Sequence, residues 1–178
     1  MNTSALFLDR DGTLILDKHY LSNPADVQLI DGVGDSLRVA KEKGYRIFLF
    51  TNQSGIGRGY FTEKETVACN DRMLEMMELP FDFFDDVCIA PETPDEPSDY
   101  RKPSPLFINE MVEKFSLSKE DCWMVGDRLS DLEAGLNAAI NSVFVKTGKD
   151  LSVQTEDYIE TNSIAMCVDF PTFVKENL

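Results

Sequence analysis

Short apolar runs recur along this chain, at Ala5 to Leu8, Arg46 to Phe50, Asp86 to Ile89, Cys122 to Val125 and Ser142 to Val145, with segments of helical character between them. Strands that alternate with helices do not pair as hairpins; they line up in parallel, and the helices cover the sheet. The expected fold is therefore α/β, a Rossmann-like parallel sheet flanked by helices on both faces. Val33, Leu37 and Ala40 recur at helical spacing, and Gly44 sits where a C-cap belongs. Thr62 and Glu65 form a capping box for a helix that should bury Met73, Met76 and Met77. Pro105 opens a helix through Phe107, Met111 and Phe115, and Ser130 is expected to cap another through Leu132 and Leu136. Ala165 to Val168 adds a sixth strand before a terminal helix containing Phe173 and Val174. With 178 residues, 43% of them hydrophobic, the material suffices for one domain spanning 1–178.

Several of these apolar runs give way to polar, functionally suggestive segments. The first run ends in Asp9-Arg10-Asp11-Gly12-Thr13, which places two carboxylates two residues apart at a strand end. A D-x-D there aims one side chain and the next loop carbonyl at a single point, as Mg²⁺ requires with its demand for oxygen ligands. The same residues also satisfy ordinary Asp-Gly turn chemistry. The second run ends in Thr51-Asn52-Gln53-Ser54-Gly55, where a hydroxyl, amides and backbone N–H groups can hold phosphate oxygens. Downstream stands Arg101-Lys102-Pro103, and Trp123-Met124-Val125 leads into Gly126-Asp127-Arg128-Leu129-Ser130-Asp131. Strand ends of this kind are where open α/β sheets bind ligands.

In this order the motifs resemble those of the haloacid dehalogenase superfamily of phosphohydrolases, over about Ala5 to Gly148. FLDRDGT, TNQSGIGRGYFT, YRKPSP and MVGDRLSD are similar to the small branch that contains heptose-bisphosphate and histidinol-phosphate phosphatases. The resemblance implies a haloacid-dehalogenase-like fold, and Ile15 to Leu29 is too short for a folded cap domain. It implies that Asp9 attacks phosphorus to give an aspartyl phosphate, and that Asp11 serves as acid and then base. Thr51 and Lys102 would stabilise the transferring phosphoryl group, and Asp9, Asp11 and Asp127 would hold Mg²⁺. Asp131 binds the metal through water, orients Lys102, or is a first-turn acid of a helix. Asn52, Gln53 and Ser54 continue the phosphate-side loop. Arg101 and Arg128 would contact the substrate beyond that phosphate, although Arg128 could equally pair with a surface acid. Asp17, Lys18, His19 and Tyr20 would line the rim, or are plain polar loop residues. Gly55, Gly57 and Gly59 permit close backbone approach or form a plain loop.

The chain departs from this branch in one segment. Its members usually carry a C-x-H segment and a C-x-C before RKP, whereas here Ala90-Pro91-Glu92-Thr93-Pro94 and Ser98-Asp99-Tyr100 stand there, so structural zinc is not expected. Cys69, Cys88, Cys122 and Cys167 are scattered and read as reduced structural thiols. The net charge of −15 disfavours nucleic acid and anionic membranes as partners. No apolar stretch approaches the ~20 residues of a membrane helix, and Met1 to Ser4 lacks a basic region or cleavage site, which reads as cytoplasmic. Arg10, Arg58, Arg101, Lys102 and Arg128 fall at the motifs, so a small phosphorylated metabolite remains a suitable partner for what is expected to be a monomer. A 7-phosphatase of D-glycero-D-manno-heptose 1,7-bisphosphate is the favoured activity. The rivals are a histidinol-phosphate phosphatase, a polynucleotide 3′-phosphatase and a non-catalytic phosphosugar-binding protein.

Overall fold

Alternation within each strand decides which helices it meets. In β1 (Ala5–Leu8) every side chain is buried, with Ala5 and Phe7 on one face and Leu6 and Leu8 on the other. A strand buried on both sides belongs at the centre of a parallel sheet. The computed structural model, which describes residues 3–178, has one six-stranded parallel sheet in the order β3-β2-β1-β4-β5-β6. The other strands are β2 (Arg46–Asn52), β3 (Asp86–Ala90), β4 (Cys122–Gly126), β5 (Asn141–Val145) and β6 (Ala165–Cys167).

The helices are α1 (Val33–Glu42), the single turn α2 (Ser54–Gly57), α3 (Glu63–Met76), α4 (Leu106–Phe115), α5 (Leu129–Asn137), α6 (Val153–Asn162) and α7 (Phe170–Asn177). Apolar faces of α1, α3 and α7 bury Leu37, Met73 and Phe173 against Leu6, Leu8, Ile47 and Leu49. On the opposite face α4 and α5 cover Phe7, Phe48, Phe50 and Met124, and α6 sets Ile159 against Leu132 and Phe144. Both faces are thus covered, and the strand ends are left as the place for a ligand. The order reverses between β1 and β4, and the crevice beyond their carboxyl ends is the switch point of a doubly wound sheet.

Two local expectations are corrected, and one helix was not foreseen. Met76 is exposed while Met73 and Met77 are buried, because Met76 falls outside the inward stripe of α3. Ser130 lies inside α5; the cap is Arg128, whose N–H donates to Asp131 Oδ2 at 2.9 Å, so the acid three residues on satisfies the free donor. Helix α6 had no predicted counterpart, for Thr155 and Ile159 are its buried residues and no apolar stripe marks it. The segment Ile15 to Leu29 holds one 3₁₀ turn, Pro24–Asp26, and no cap domain. Among the described residues, no helix is long and apolar enough to cross a membrane.

Phe107 fills the centre of the α4 face. Its ring lies 6.1 Å from that of Phe7, 6.2 Å from Phe48 and 5.1 Å from Phe50. Phe107→Ala is expected to cost about 3–5 kcal/mol through lost transfer energy and a residual cavity. Urea unfolding should show a lowered midpoint at constant slope; a loss under about 1 kcal/mol would contradict this packing.

Candidate active site

Chain reversal after β1 sets the first carboxylates. Asp9 still donates its N–H to Val125 O at 3.0 Å, as though it continued the strand. The Arg10 carbonyl then accepts from the N–H groups of Thr13, Leu14 and Ile15, so the chain turns tightly at Gly12 with φ +86°. A Cβ on Gly12 would lie 2.5 Å from Asp127 Oδ2, and one on Gly126 would lie 2.3 Å from Asp131 Cγ. The first and last motifs therefore pack directly on each other at Gly12, the last motif folds back on itself at Gly126, and glycine is needed at both contacts. Asp9, Asp127 and Asp131 end up buried, with one oxygen from each within 4.8 Å of the others.

Lys102 enters this cluster from a different loop. Its Nζ lies 2.7 Å from Asp9 Oδ1, 2.6 Å from Asp131 Oδ1 and 2.7 Å from Phe50 O, with 3% of the residue exposed. Asn52 holds the lysine's backbone from both sides: its Nδ2 donates to Lys102 O and its Oδ1 accepts from Lys102 N, each at 3.0 Å. Beside them Gln53 Nε2 donates to Asp11 Oδ2 and to Thr51 Oγ1, both at 2.8 Å. Arg10 supports Asp11 from below through Nε at 3.0 Å and, fully buried, donates to Asn70 Oδ1 at 2.9 Å.

Burial is the largest influence on the charges here. It pushes the Asp9 carboxyl up, and the charge of Asp131 adds to the rise while Lys102 opposes it. It pushes Asp127 up to about 8, with Asp9 and Asp131 adding to the effect. Burial would pull the Lys102 ammonium down, but Asp131 and Asp9 outweigh it and the net direction is up. Three carboxyl groups face one buried ammonium, with the half-exposed Arg128 guanidinium 3.8 Å from Asp127 Oδ1, and burial together with this shortage of positive charge biases Asp9 and Asp127 toward the protonated form. Asp127 Oδ1 has no hydrogen-bond partner, while its Oδ2 accepts from Lys149 N at 2.8 Å. A buried all-oxygen donor set with more carboxyl groups than cations, and with one oxygen free of hydrogen bonds, fits a hard divalent cation.

A family profile described as HAD-hydrolase-like matches residues 99–169. The D-glycero-β-D-manno-heptose-1,7-bisphosphate 7-phosphatase of Helicobacter pylori is 39% identical, covering 80% of this chain and 83% of its own. The enzyme of that name from Haemophilus influenzae is 35% identical over 96% of each chain. The chain belongs to the haloacid dehalogenase superfamily. The fold agrees: the crystal structure of a D,D-heptose 1,7-bisphosphate phosphatase from B. bronchiseptica, complexed with magnesium and phosphate, superposes with a TM-score of 0.84. That match covers 97% of each chain at 23% identity.

Most of the haloacid dehalogenase motif residues converge on one cleft of about 150 Å³, which Asp9, Asp11, Asn52, Gln53, Ser54, Arg101, Lys102 and Arg128 line. Asp17, His19 and Tyr20 reach its rim. Thr51 lies beneath Gln53, buried, and Asp127 lies beneath the cleft floor. Lys18 does not line the cleft; it faces the neighbouring groove along Ser22 and Asn23. Asn52, expected to meet substrate, has both amide atoms committed to the Lys102 backbone. For the metal set, the clustered carboxylates are Asp9, Asp127 and Asp131; Asp11, whose backbone carbonyl is the expected ligand, turns its carboxylate to Arg10 and Gln53. Gly55 and Gly57 serve packing, since a Cβ on either would meet Phe61 at 2.1 Å or Pro91 O at 2.7 Å.

Thr147 and Gly148, just past β5, also pack against the site, although neither was among the residues expected there. Thr147 Oγ1 donates to Gly12 O at 2.6 Å, and a Cβ on Gly148 would stand 1.9 Å from Asp127 Oδ2. The available signal was a fifth apolar run ending in a polar residue and glycine, the same grammar as the other motifs.

A divalent cation should stabilise the fold through this cluster. At a hundred times its dissociation constant the gain is about 2.7 kcal/mol, or about 5–10 °C in Tm for a chain of this length. Differential scanning fluorimetry with and without Mg²⁺ should show the gain in the wild type and little of it in Asp127→Asn. Equal gains in both proteins would place the cation elsewhere.

Proposed function

We propose that this protein is a Mg²⁺-dependent phosphomonoesterase that removes the 7-phosphate of D-glycero-D-manno-heptose 1,7-bisphosphate. The observation that carries the reading is the buried Asp9–Lys102–Asp131 chain beside Asp127 at the switch point of the sheet. The names of the relatives, at 35–39% identity over most of the chain, support the substrate.

Lys102 takes one oxygen of Asp9, which fixes the carboxylate so that its other oxygen attacks phosphorus and displaces the sugar oxygen. Asp11, held at the cleft by Gln53 and Arg10, delivers a proton to the leaving alkoxide and then takes one from the water that cleaves the aspartyl phosphate. Charge on the phosphoryl oxygens meets the Lys102 ammonium and the segment that follows β2, where Gln53 and Ser54 line the cleft above Thr51. The carboxylates of Asp9 and Asp127, with Asp131 beside them and the Asp11 carbonyl that the family resemblance implies, would hold Mg²⁺, which would supply positive charge to those oxygens and favour ionised carboxylates. Arg101 and Arg128, both in the cleft lining, are suited to a second anionic group on the same substrate. With no cap above them, a sugar carrying that group can extend toward solvent.

The test is Mg²⁺-dependent phosphate release from the heptose bisphosphate, histidinol phosphate and a 3′-phosphorylated oligonucleotide, with Asp9→Asn as control. The heptose bisphosphate is expected to give the highest kcat/KM, and Asp9→Asn to abolish turnover. Preference for histidinol phosphate would keep the mechanism and replace the substrate, whereas turnover that survives Asp9→Asn would overturn the mechanism.

A further inference from the structure

Two successive non-glycine residues at the rim, His19 with φ 51° and Tyr20 with φ 61°, occupy the left-handed region. Side-chain-bearing residues enter it at a cost and stay only where their surroundings hold them. Here the hold is specific. His19 donates its N–H to Asp17 Oδ1 at 2.9 Å, and the Tyr20 ring meets Tyr60 edge-on at 4.9 Å. Asp17 Oδ2 in turn lies 3.0 Å from an Arg128 nitrogen and 2.9 Å from Lys149 Nζ. The Asp17 side chain is 11% exposed, so its carboxylate is enclosed between two cations.

The two cations differ in position. Arg128 lines the cleft and can turn to a substrate anion, whereas Lys149 does not line it. Were Arg128 to leave Asp17 for substrate, Lys149 would remain as the counter-ion. Without Lys149, the carboxylate would stand uncompensated beside an arriving phosphate, and it would compete for Arg128. Lys149 is also anchored at its other end, since its backbone N–H donates to Asp127 Oδ2.

We propose that Lys149 is a positioning residue that sets the cleft's affinity for the part of the substrate beyond the transferred phosphate, by neutralising Asp17 and so holding the His19–Tyr20 turn. The proposal rests on the phosphatase reading above and assigns the rim's organisation to a residue that touches neither the phosphate nor the cation with its side chain.

Lys149→Met tests it, because the backbone bond to Asp127 is retained. His19 is the only histidine in the chain, so its imidazole proton signals report on the turn without any turnover. In Lys149→Met those signals are expected to move toward free-histidine positions. KM for the heptose bisphosphate should rise about fivefold, as loss of one exposed ion pair implies, with kcat and the kinetics on p-nitrophenyl phosphate unchanged. Lys149→Arg should restore both. Unmoved His19 signals, or a parallel fall of kcat on p-nitrophenyl phosphate, would overturn the proposal. A wild type that hydrolyses no phosphomonoester would sink the phosphatase reading instead, and the His19 spectrum would still decide whether Lys149 holds the turn.

Discussion

A single buried ammonium organises this molecule's chemistry. Lys102 Nζ touches the ends of two strands and the first turn of a helix at once, through Asp9, Phe50 O and Asp131. A buried charge is costly unless paired and fully hydrogen-bonded, and removing one partner leaves the others uncompensated. That cost makes the motifs interdependent although 93 residues separate Lys102 from Asp9. Asn52 belongs to the same device. Its amide binds both backbone groups of Lys102, so β2 sets where the lysine starts as well as where its tip ends.

The charge left over explains how an acidic protein can handle a phosphate. With a net charge of −15, the chain repels anions at long range. Over a Debye length of about 8 Å, however, local charge governs the encounter. Arg101, Lys102 and Arg128 all line the cleft, and the excess carboxylates beneath them are suited to a divalent cation. The acidic average then disfavours extended polyanions while leaving a small phosphorylated molecule able to bind.

How much of this could be read in the sequence depended on whether a signal was local. All six strands carry their apolar runs in one piece and were legible to within a residue or two, as were the helices with clear stripes or caps. Helix α6 was not, because Val153 is exposed and its contribution to the core is little more than Ile159. Within the site, Asp9 and Asp127 were legible because each ends a strand, and topology brings strand ends together; Lys102 was legible from its own short motif. That Asn52 bonds the Lys102 backbone and that Lys18 faces the neighbouring groove was not legible, since both are polar loop-edge residues whose direction depends on contacts far away in sequence. Asp131 illustrates the intermediate case. Three uses were open to it, and the fold gives it two: it caps α5 with one oxygen and pairs with Lys102 through the other.

The loop from Pro91 to Ser104 shows how a cleft-lining arginine can be fixed by hydrogen bonds within one segment. Arg101 donates its N–H to Ser98 Oγ and a guanidinium nitrogen to Glu92 O, each at 2.9 Å. Glu96 accepts from Thr93 N at 2.7 Å, Ser104 Oγ donates to Asp99 O, and Tyr100 donates to Glu110 on α4. Each bond is individually worth about a kilocalorie, yet together they close the loop on itself and dock it against a helix. Proline restricts the same segment before folding, so less backbone freedom is lost when it orders. A chain without thiol or imidazole ligands between Ala90 and Arg101 therefore still has the means to present Arg101 at the cleft in one orientation. The ties that set this orientation run to Ser98 Oγ and Glu92 O, so they hold Arg101 without drawing on Asp9 or on the Lys102 ammonium.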